Sequence, residues 1–489
     1  MSTKRFLPLL LSLPLFTAHA LAQDERRSTS AEQTGLAVTI YNHDLALIKD
    51  ARKVKLGGGD NLLAWREVSA RMQPETALLR SLDGSKLSLF EQNFDFDLLT
   101  PTKLLEKSVG SAVRVIRTQP ITGAEFVESA TLLSSNEGVV LQFGDRVESG
   151  VPGRLAFSGV PGELRDRPTL SMLVNTDGPS NPYQTAERHL ELSYLTGGLS
   201  WKADYVAELA SNEASMDLNG WVTLTNTSGT AYRNAKLQLV AGSVNRAQPE
   251  AQPMPVMARA MAMADAGAKM QEESLFEYHL YTLGRNTTLS DNQTKQVALL
   301  SAQKVPVEKE FRLQGGDWYY MGQHGELGKQ MKPSVVLEFD NKAGKPGKGD
   351  DALGIPLPKG IVRVYKKDVS GRAQFIGEDR IEHTAKGESV RLKLGEAFDI
   401  TADKKQTDFQ KLATFNARGG VIETAYQMEI RNAKSEKVVV KVIEPLPGEW
   451  QMLQESLPHK KSSAQTAVWE VPVPAEGKTT LTWRIRIKY

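Results

Sequence analysis

Hydrophobic and polar residues alternate along much of this chain with a period of two. The stretch LTGGLSWKADYVAEL, which begins at residue 195, shows the alternation almost without a break. A period of two is typical of a strand with one buried face, whereas helical spacing would scatter the same apolar residues around the axis. We therefore predict a strand here, preceded by a glycine turn, with Lys202, Asp204 and Glu208 on its solvated side.

The same pattern recurs to the end of the chain in short runs rich in β-branched and aromatic residues. Examples are AVTIYN, RVIRT, GWVTLTN, YHLYTL, VVLEFDN, IVRVYKKD, AYQMEIRN, KVVVKVIE and TLTWRIRIKY. Polar and glycine-rich turns such as DVSGR (368–372) separate the runs, and convincing helical stretches are few. The pattern predicts an all-β protein of several β-sandwich, immunoglobulin-like domains.

Three of the predicted strands end in asparagine. They are WVTLTN at Asn226, VVLEFDN at Asn341 and YQMEIRN at Asn432. Asparagine suits a strand end because its side chain can bond the local backbone. The spacing, of the order of one immunoglobulin-sized unit of about 100 residues, hints at repeated units.

The domain organisation follows from shifts in composition. We expect a disordered mature N-terminus (23–34), an N-terminal β domain (35–190), a central β-sandwich (191–330) and a C-terminal β-sandwich (331–489). Short strands and tight turns over 104–150 suggest a small SH3-like barrel inserted in the first domain. The Ala-, Met- and Pro-rich segment 247–273 is expected to be a mobile linker, and the Gly-, Pro- and Lys-rich segment 342–360 an exposed loop.

The N-terminus has the features of a secretory signal peptide. Lys4 and Arg5 precede an apolar run to Phe16, and small residues follow up to Ala22, where cleavage is expected (1–22). The chain has no cysteine, which excludes disulfides and thiolate chemistry and favours a bacterial envelope over a secreted eukaryotic protein. We expect a periplasmic or secreted protein.

Charge offers no general attraction for nucleic acid or anionic lipid. The chain carries 60 basic and 58 acidic side chains, and loss of Lys4 and Arg5 with the signal would leave it formally neutral. We expect no nucleic-acid partner and no integral membrane span.

Lys202, Asp204 and Glu208 could in principle form an acid–base set. On a strand, however, residues 204 and 208 lie about 13 Å apart at ~3.3 Å per residue, too far for a retaining carboxylate pair. A solvated face is the better interpretation.

The best ligand-binding candidate is GGDWYYMGQHG (315–325). Its aromatic residues and histidine, which are Trp318, Tyr319, Tyr320 and His324, could stack on sugars or on a partner. Anchoring of a loop in the core is the competing interpretation.

A second, polar candidate lies in FEYHLYTLGRNTTLSDNQTKQVALL (276–300). Read as a hairpin, it would bring together Glu277, His279, Asp291 and Lys295 for proton transfer or metal binding. Ordinary turn residues and a structural histidine explain the same stretch.

Two further alternatives carry less weight. The methionines of the linker, which are Met254, Met257, Met261, Met263 and Met270, offer thioethers to Cu(I), but no further soft ligand accompanies them. The terminal TLTWRIRIKY has the alternation of an outer-membrane barrel strand; an edge or penultimate strand of a soluble sandwich is favoured. We expect no metal and no cofactor.

The chain resembles the bacterial family called domain of unknown function 4139. The resemblance rests on YLTGGLSWKADYVAEL, GWVTLTNTSGTAYRNAKLQLVAGSVN, LPKGIVRVYKKD and VVKVIEPLPGEW, runs in order from about residue 190 to the C-terminus, and extends to the region from AVTIYN onward. It implies an exported, β-rich envelope protein of no established activity, and therefore supplies no catalytic residues.

No nucleotide-binding, metalloprotease or serine-hydrolase motif is present. We therefore expect a non-enzymatic binding or assembly module of the cell envelope, with an envelope protein or glycan as partner and an undetermined oligomeric state. The alternative is an envelope glycan-binding or glycan-acting protein that uses the aromatic loop.

Overall fold

A computed structural model of the protein describes residues 25–42, 44–150, 153–178, 184–242, 270–275, 278–343, 353–416 and 419–488. The described chain is almost entirely β, which confirms the predicted fold class. Its one α-helix, α1 (Pro101–Lys107), begins after the N-cap Thr100 with proline in its first turn, as expected for a helix start. Three short 3₁₀ helices cover Ser30–Glu32, Pro74–Thr76 and Asp317–Tyr320.

The strands up to residue 196 are β1 (Arg26–Ser28), β2 (Gln33–Tyr41), β3 (Leu45–Gly57), β4 (Gly59–Arg66), β5 (Leu78–Ser81), β6 (Leu87–Asp95), β7 (Ala112–Thr118), β8 (Glu125–Ser134), β9 (Val140–Gln142), β10 (Val147–Ser149), β11 (Arg154–Phe157), β12 (Thr169–Thr176) and β13 (Thr185–Thr196).

The later strands are β14 (Leu199–Leu209), β15 (Ser215–Asn226), β16 (Tyr232–Ala241), β17 (Met270–Leu275), β18 (Tyr278–Leu283), β19 (Thr287–Leu289), β20 (Gln293–Pro306), β21 (Glu308–Gln314), β22 (Glu326–Met331), β23 (Ser334–Asp340), β24 (Gly360–Lys367), β25 (Ala373–Ile381), β26 (Ser389–Glu396), β27 (Ile400–Asn416), β28 (Gly419–Asn432), β29 (Val438–Pro445), β30 (Glu449–Glu455), β31 (Lys460–Ser463), β32 (Thr466–Val473) and β33 (Gly477–Lys488).

The chain divides into two compact units. The first comprises the chain up to Leu36, Leu47–Gly197 and Ser228–Thr230, and the second Ala37–Ala46, Gly198–Thr227 and Ala231–Tyr489. The finer division expected at residues 190 and 330 stays a prediction.

The first unit contains two sheets of its own. One has the order β1-β4-β12-β6, in which β1 runs parallel to β4. The other, over the segment in which a small barrel was expected, is an antiparallel sheet of order β10-β9-β8-β7-β11. Seven buried side chains, from Val113 to Phe143, form a core under this second sheet. The sheet therefore packs as a small body with its own core, starting at Ala112 and including β11 beyond residue 150.

In the second unit, the strand predicted from LTGGLSWKADYVAEL lies at the centre of a sheet of order β20-β15-β14-β24-β25. It pairs antiparallel with β15 and parallel with β24. Its odd-numbered residues from Leu199 to Leu209 are buried, so the period-two interpretation is confirmed.

The C-terminal part of the second unit is a β-sandwich. One sheet has the order β26-β23-β21-β29-β32-β31 and the other β22-β27-β28-β33-β30. Their facing side chains form one core that includes Trp469 and Trp483. The last strand, β33, is second from the edge, and its apolar residues Leu481, Trp483, Ile485 and Ile487 are buried in this core, as predicted for a penultimate sandwich strand.

One loop prediction needs correction, and another falls mostly outside the described residues. The segment 342–360 was expected to be exposed, but Leu353 and Leu357 are buried, and the hydroxyls of Tyr281 and Tyr205 donate to the carbonyls of Pro356 and Pro358. Residues 344–352 lie outside the described residues. The 247–273 linker is described only from residue 270, where β17 begins, so four of the five methionines of the copper hypothesis lie outside the described residues.

Candidate functional site

The aromatic loop forms a 3₁₀ turn that inserts two of its rings into the C-terminal sandwich. Tyr319 and Tyr320 are buried, whereas Trp318 is 52% exposed. The Trp318 ring lies edge-on to the His324 ring, with 5.3 Å between centroids. Anchoring in the core therefore explains the two tyrosines. Trp318 remains exposed, with the half-buried His324 beside it.

Gln406 holds the far end of this loop. Its side-chain oxygen accepts a hydrogen bond from the backbone N–H of His324, and its amide donates to the carbonyl of Gly322. The Nε2 atom of His324 is buried and has no hydrogen-bond partner among the described residues. A buried ring nitrogen without a partner, next to an exposed indole, is the feature of this loop that most favours a ligand.

Beneath the loop lies a buried ion pair that the sequence analysis missed. Lys404 on β27 and Glu444 on β29 are both fully buried, and the Lys404 ammonium donates to both carboxylate oxygens at 2.7 Å. The hydroxyl of Tyr320 also donates to Glu444, at 2.8 Å. Since β27 and β29 belong to opposite sheets, the pair joins the two layers of the sandwich.

Aromatic rings surround the Lys404 ammonium. Its Nζ lies 4.1 Å from the centroid of the Tyr319 ring and 5.2 Å from that of Trp483, close enough for cation–π attraction. Burial lowers the pKa of Lys404, while the charge of Glu444 opposes that shift. Burial also raises the pKa of Tyr320 well above its ordinary value.

This buried cluster is suited to holding the sandwich together. A general acid or base must reach a substrate, and both charged groups here are fully enclosed. Gly315 is part of the enclosure, since a Cβ at that position would clash with the carboxylate of Glu444, 2.3–2.7 Å from its three atoms. We interpret the cluster as a structural contact that joins the two sheets and supports the aromatic loop.

The hairpin expected around residues 276–300 does not form. Strand β18 pairs with β16 and β17, whereas β20 pairs with β15 in another sheet. Within this region Lys295 donates to the carbonyl of Thr288, and Asp291 accepts from the side chain of Asn292. His279 lies on β18, and the side chain of Glu277 lies outside the described residues.

The charged residues of LTGGLSWKADYVAEL do not form one site, because Asp204 and Glu208 have different partners. Asp204 is 7% exposed, so its predicted place on a solvated face is wrong. It accepts from Thr223 at 3.0 Å and pairs with Arg363 at 3.2 Å and Lys202 at 3.3 Å. Glu208 pairs instead with Lys367 at 2.6 Å. The two carboxylates thus serve cross-strand contacts.

The first unit presents a different kind of feature, an apolar groove of about 490 Å³. One wall comes from α1 and its N-terminal approach, the other from β11 and the loop after it. The lining residues are Leu99, Thr100, Pro101, Leu104, Leu105, Leu155, Phe157 and Val160. Leu105, Leu155 and Phe157 also pack against the small core under the five-stranded sheet, which fixes the floor of the groove.

Exposed hydrophobic residues concentrate in the stretch of the first unit that contains this groove. Of the 22 large hydrophobic side chains that are exposed in the described chain, 13 lie between Leu78 and Val160. They include Phe90 at 62%, Val127 at 57% and Ile121 at 92% exposure. Such a concentration is typical of interaction surfaces. Sequence alternation could not reveal it, because the pattern marks apolar residues as buried.

No group of His, Cys, Asp or Glu side chains within the described ranges has the arrangement of a metal site. Across the same ranges, no helix is long and apolar enough to cross a membrane.

Fold and surface together define a multi-sheet β protein in which the buried Lys404–Glu444 pair joins the two layers of the C-terminal sandwich and whose first unit exposes many apolar side chains. The chain belongs to the family described as a domain of unknown function, DUF4139, whose model matches residues 190–489. The apolar groove lies before that matched region. No curated protein matches the chain.

Proposed function

We propose that the protein is a non-enzymatic binding or assembly module of the bacterial cell envelope, exported to the periplasm or the cell exterior. The observation that carries the proposal is the concentration of exposed hydrophobic side chains between Leu78 and Val160. Removing such a surface from water favours association by about 25 cal/mol per Å². The partner that fits this surface is another envelope protein.

The way the described ionisable groups are used supports a non-enzymatic role. Lys404 and Glu444 neutralise each other inside the sandwich, and Asp204 is shared between two cations and a hydroxyl. Groups engaged in this way stabilise sheets, whereas catalytic groups need access to a substrate.

Chemical cross-linking of the tagged full chain in its own host tests the binding role. An amine-reactive cross-linker followed by mass spectrometry should attach partner peptides to Lys86, Lys103 and Lys107, which lie in the apolar region. The exposed Lys460 and Lys478 of the C-terminal sandwich are the matched controls. Partner peptides attached only to these controls, or recovery of the protein alone, would refute the proposal.

Export is tested separately by the N-terminal sequence of protein purified from the host. Cleavage after Ala22 is expected, with the protein in the periplasmic or culture fraction. Protein that retains Met1 and remains in the cytoplasm would contradict this part of the proposal.

Binding of an envelope glycan is the second candidate function, favoured by the exposed Trp318 ring and the buried Nε2 of His324 without a partner among the described residues. A sugar ring stacked on the indole could place a hydroxyl near this nitrogen. On this account Trp318→Ala abolishes retention on peptidoglycan or polysaccharide without lowering thermal stability. Phe398→Ala, at another exposed aromatic position (82%), should leave retention unchanged. Equal retention of both variants and the parent protein would eliminate this function.

A further inference from the structure

The groove of the first unit has an unusually uniform lining. Seven of its eight lining residues are apolar. The exception, Thr100, uses its hydroxyl to accept the backbone N–H of Lys103 at 3.2 Å, as the N-cap of α1. The lining side chains therefore offer no charged group to a ligand, and their single hydroxyl already accepts a hydrogen bond from the helix backbone.

The charges near the groove are paired with one another. Lys103 pairs with Glu106 at 2.8 Å, Lys107 with Glu163 at 2.9 Å, and Asp97 lies within 3.6 Å of both ammonium groups. Two lysines facing three acids create no attraction for an anionic head group. Recognition must therefore come from the apolar lining.

Size and polarity together identify the kind of ligand. A volume of about 490 Å³ lies in the range of small-molecule sites, roughly 300–1,000 Å³. A polypeptide segment would bring a peptide N–H and C=O with every residue, and buried peptide groups need partners that these side chains do not supply. A hydrocarbon chain needs none.

We infer that the groove between α1 and β11 binds a single fatty-acyl chain. The inference rests on the proposed function and deepens it, since it gives the binding module a lipid ligand at a defined site. Leu99 and Val160, which are 41% and 57% exposed, lie at the mouth of the groove and would contact the bound chain. The floor is preformed, because Leu105, Leu155 and Phe157 are fixed by the core beneath them.

Titration calorimetry of the full mature chain with decanoate, dodecanoate and tetradecanoate tests the inference. Each added methylene should tighten binding about fourfold, from the free energy of burying one CH₂ group. The affinity should be the same for an uncharged 1-alkanol of equal length and should not fall in 0.5 M NaCl, because no ion pair holds the head group.

The variants Leu99→Asp and Val160→Asp should each weaken binding at least tenfold. Ile121→Asp is the matched control: Ile121 is 92% exposed, lies in the β7–β8 turn and does not line the groove. All three positions are exposed, so the thermal unfolding midpoints should match that of the parent protein.

Absence of binding by every chain length, or equal binding by Val160→Asp and the parent, would overturn the inference. Binding of an extended apolar peptide in preference to the alkyl chains would overturn it in favour of a polypeptide ligand. Either failure is distinguishable from failure of the proposed function, since cross-linking to Lys86, Lys103 and Lys107 reports on a protein partner independently of the alkyl titration.

Discussion

Three buried asparagines at strand ends make the same kind of side-chain-to-backbone contact at three places in the second unit. Asn226, Asn341 and Asn432 are each at most 2% exposed, and each side-chain amide donates to two backbone carbonyls of neighbouring loops. Each thereby closes a turn that would otherwise leave carbonyls buried and unpaired. The sequence predicted that these asparagines lie at strand ends and bond the local backbone. Which loop carbonyls each amide bonds follows only from the structure.

Asn341→Ala tests the importance of this arrangement. The change removes two donated bonds and one accepted from the N–H of Gly354, so the second unit should lose about 3 kcal/mol. Urea unfolding should show the loss, and hydrogen exchange at the amide of Leu357 should accelerate. Asn136→Ala, at an exposed turn position, is the control and should change neither; a similar loss in both variants would contradict the account.

Charged residues mark where prediction from alternation fails at the residue scale. Lys404 follows Ile400 and Ala402, and Glu444 follows Val440 and Val442, in phase with the buried positions. The alternation of buried positions continues through both residues and was the only signal in the sequence. Charged side chains are mostly exposed to solvent, however, so the alternation alone does not indicate burial. The partner that makes their burial tolerable lies 40 residues away, in the opposite sheet.

A double-mutant cycle on Lys404 and Glu444 measures the coupling free energy of this buried ion pair. Lys404→Met and Glu444→Leu should each cost about 3–5 kcal/mol, because each leaves an uncompensated buried charge. The double variant should cost much less than the sum of the two. The surface pair Lys478 and Glu429, 3.0 Å apart, is the control and should couple by no more than about 1 kcal/mol. If the losses of stability in the two single variants simply added up in the double variant, the proposed structural role of the pair would be refuted.

At the scale of elements, strand identity was predictable and strand pairing was not. The phase of alternation in β14 and β33 correctly indicated which face is buried. The expected hairpin failed because β18 and β20 are both strands but do not pair with each other. β18 pairs with β17, just before it, and with the distant β16, whereas β20 pairs with β15. The composition of 342–360 suggested an exposed loop, but hydroxyls of the distant Tyr281 and Tyr205 donate to the carbonyls of Pro356 and Pro358 within it. Long-range partners of this kind leave no local signal.

Gly360→Ala probes one such long-range pairing. Gly360 lies opposite Ala203 in the parallel β14–β24 pair, and a Cβ there would meet the Ala203 carbonyl oxygen at 2.4 Å. The strands must separate, at a cost of about 1–3 kcal/mol, which a lower unfolding midpoint would reveal. Gly395→Ala in β26 meets nothing within 4 Å and should be harmless. Equal stability of both variants would show that β14 and β24 are not so closely paired.

At the scale of the whole molecule, composition and strand pattern sufficed for the all-β class. Membership of the DUF4139 family came instead from the resemblance of the segments after about residue 190, and the family model that matches residues 190–489 shows it. The apolar surface of the first unit could not be predicted, because exposure depends on what the folded chain leaves uncovered. That surface carries the proposed role as a binding module, while the buried ion pairs and asparagines of the second unit provide rigidity.

Photo-cross-linking from defined positions in living host cells tests the central claim most directly. A photoreactive residue at Phe90 or Val127 should capture a specific envelope partner in high yield. The same residue at Val439 or Phe398, positions of the C-terminal sandwich that are 51% and 82% exposed, should capture little. Equal capture from all four positions, or none from Phe90 and Val127, would contradict a binding role for the first unit.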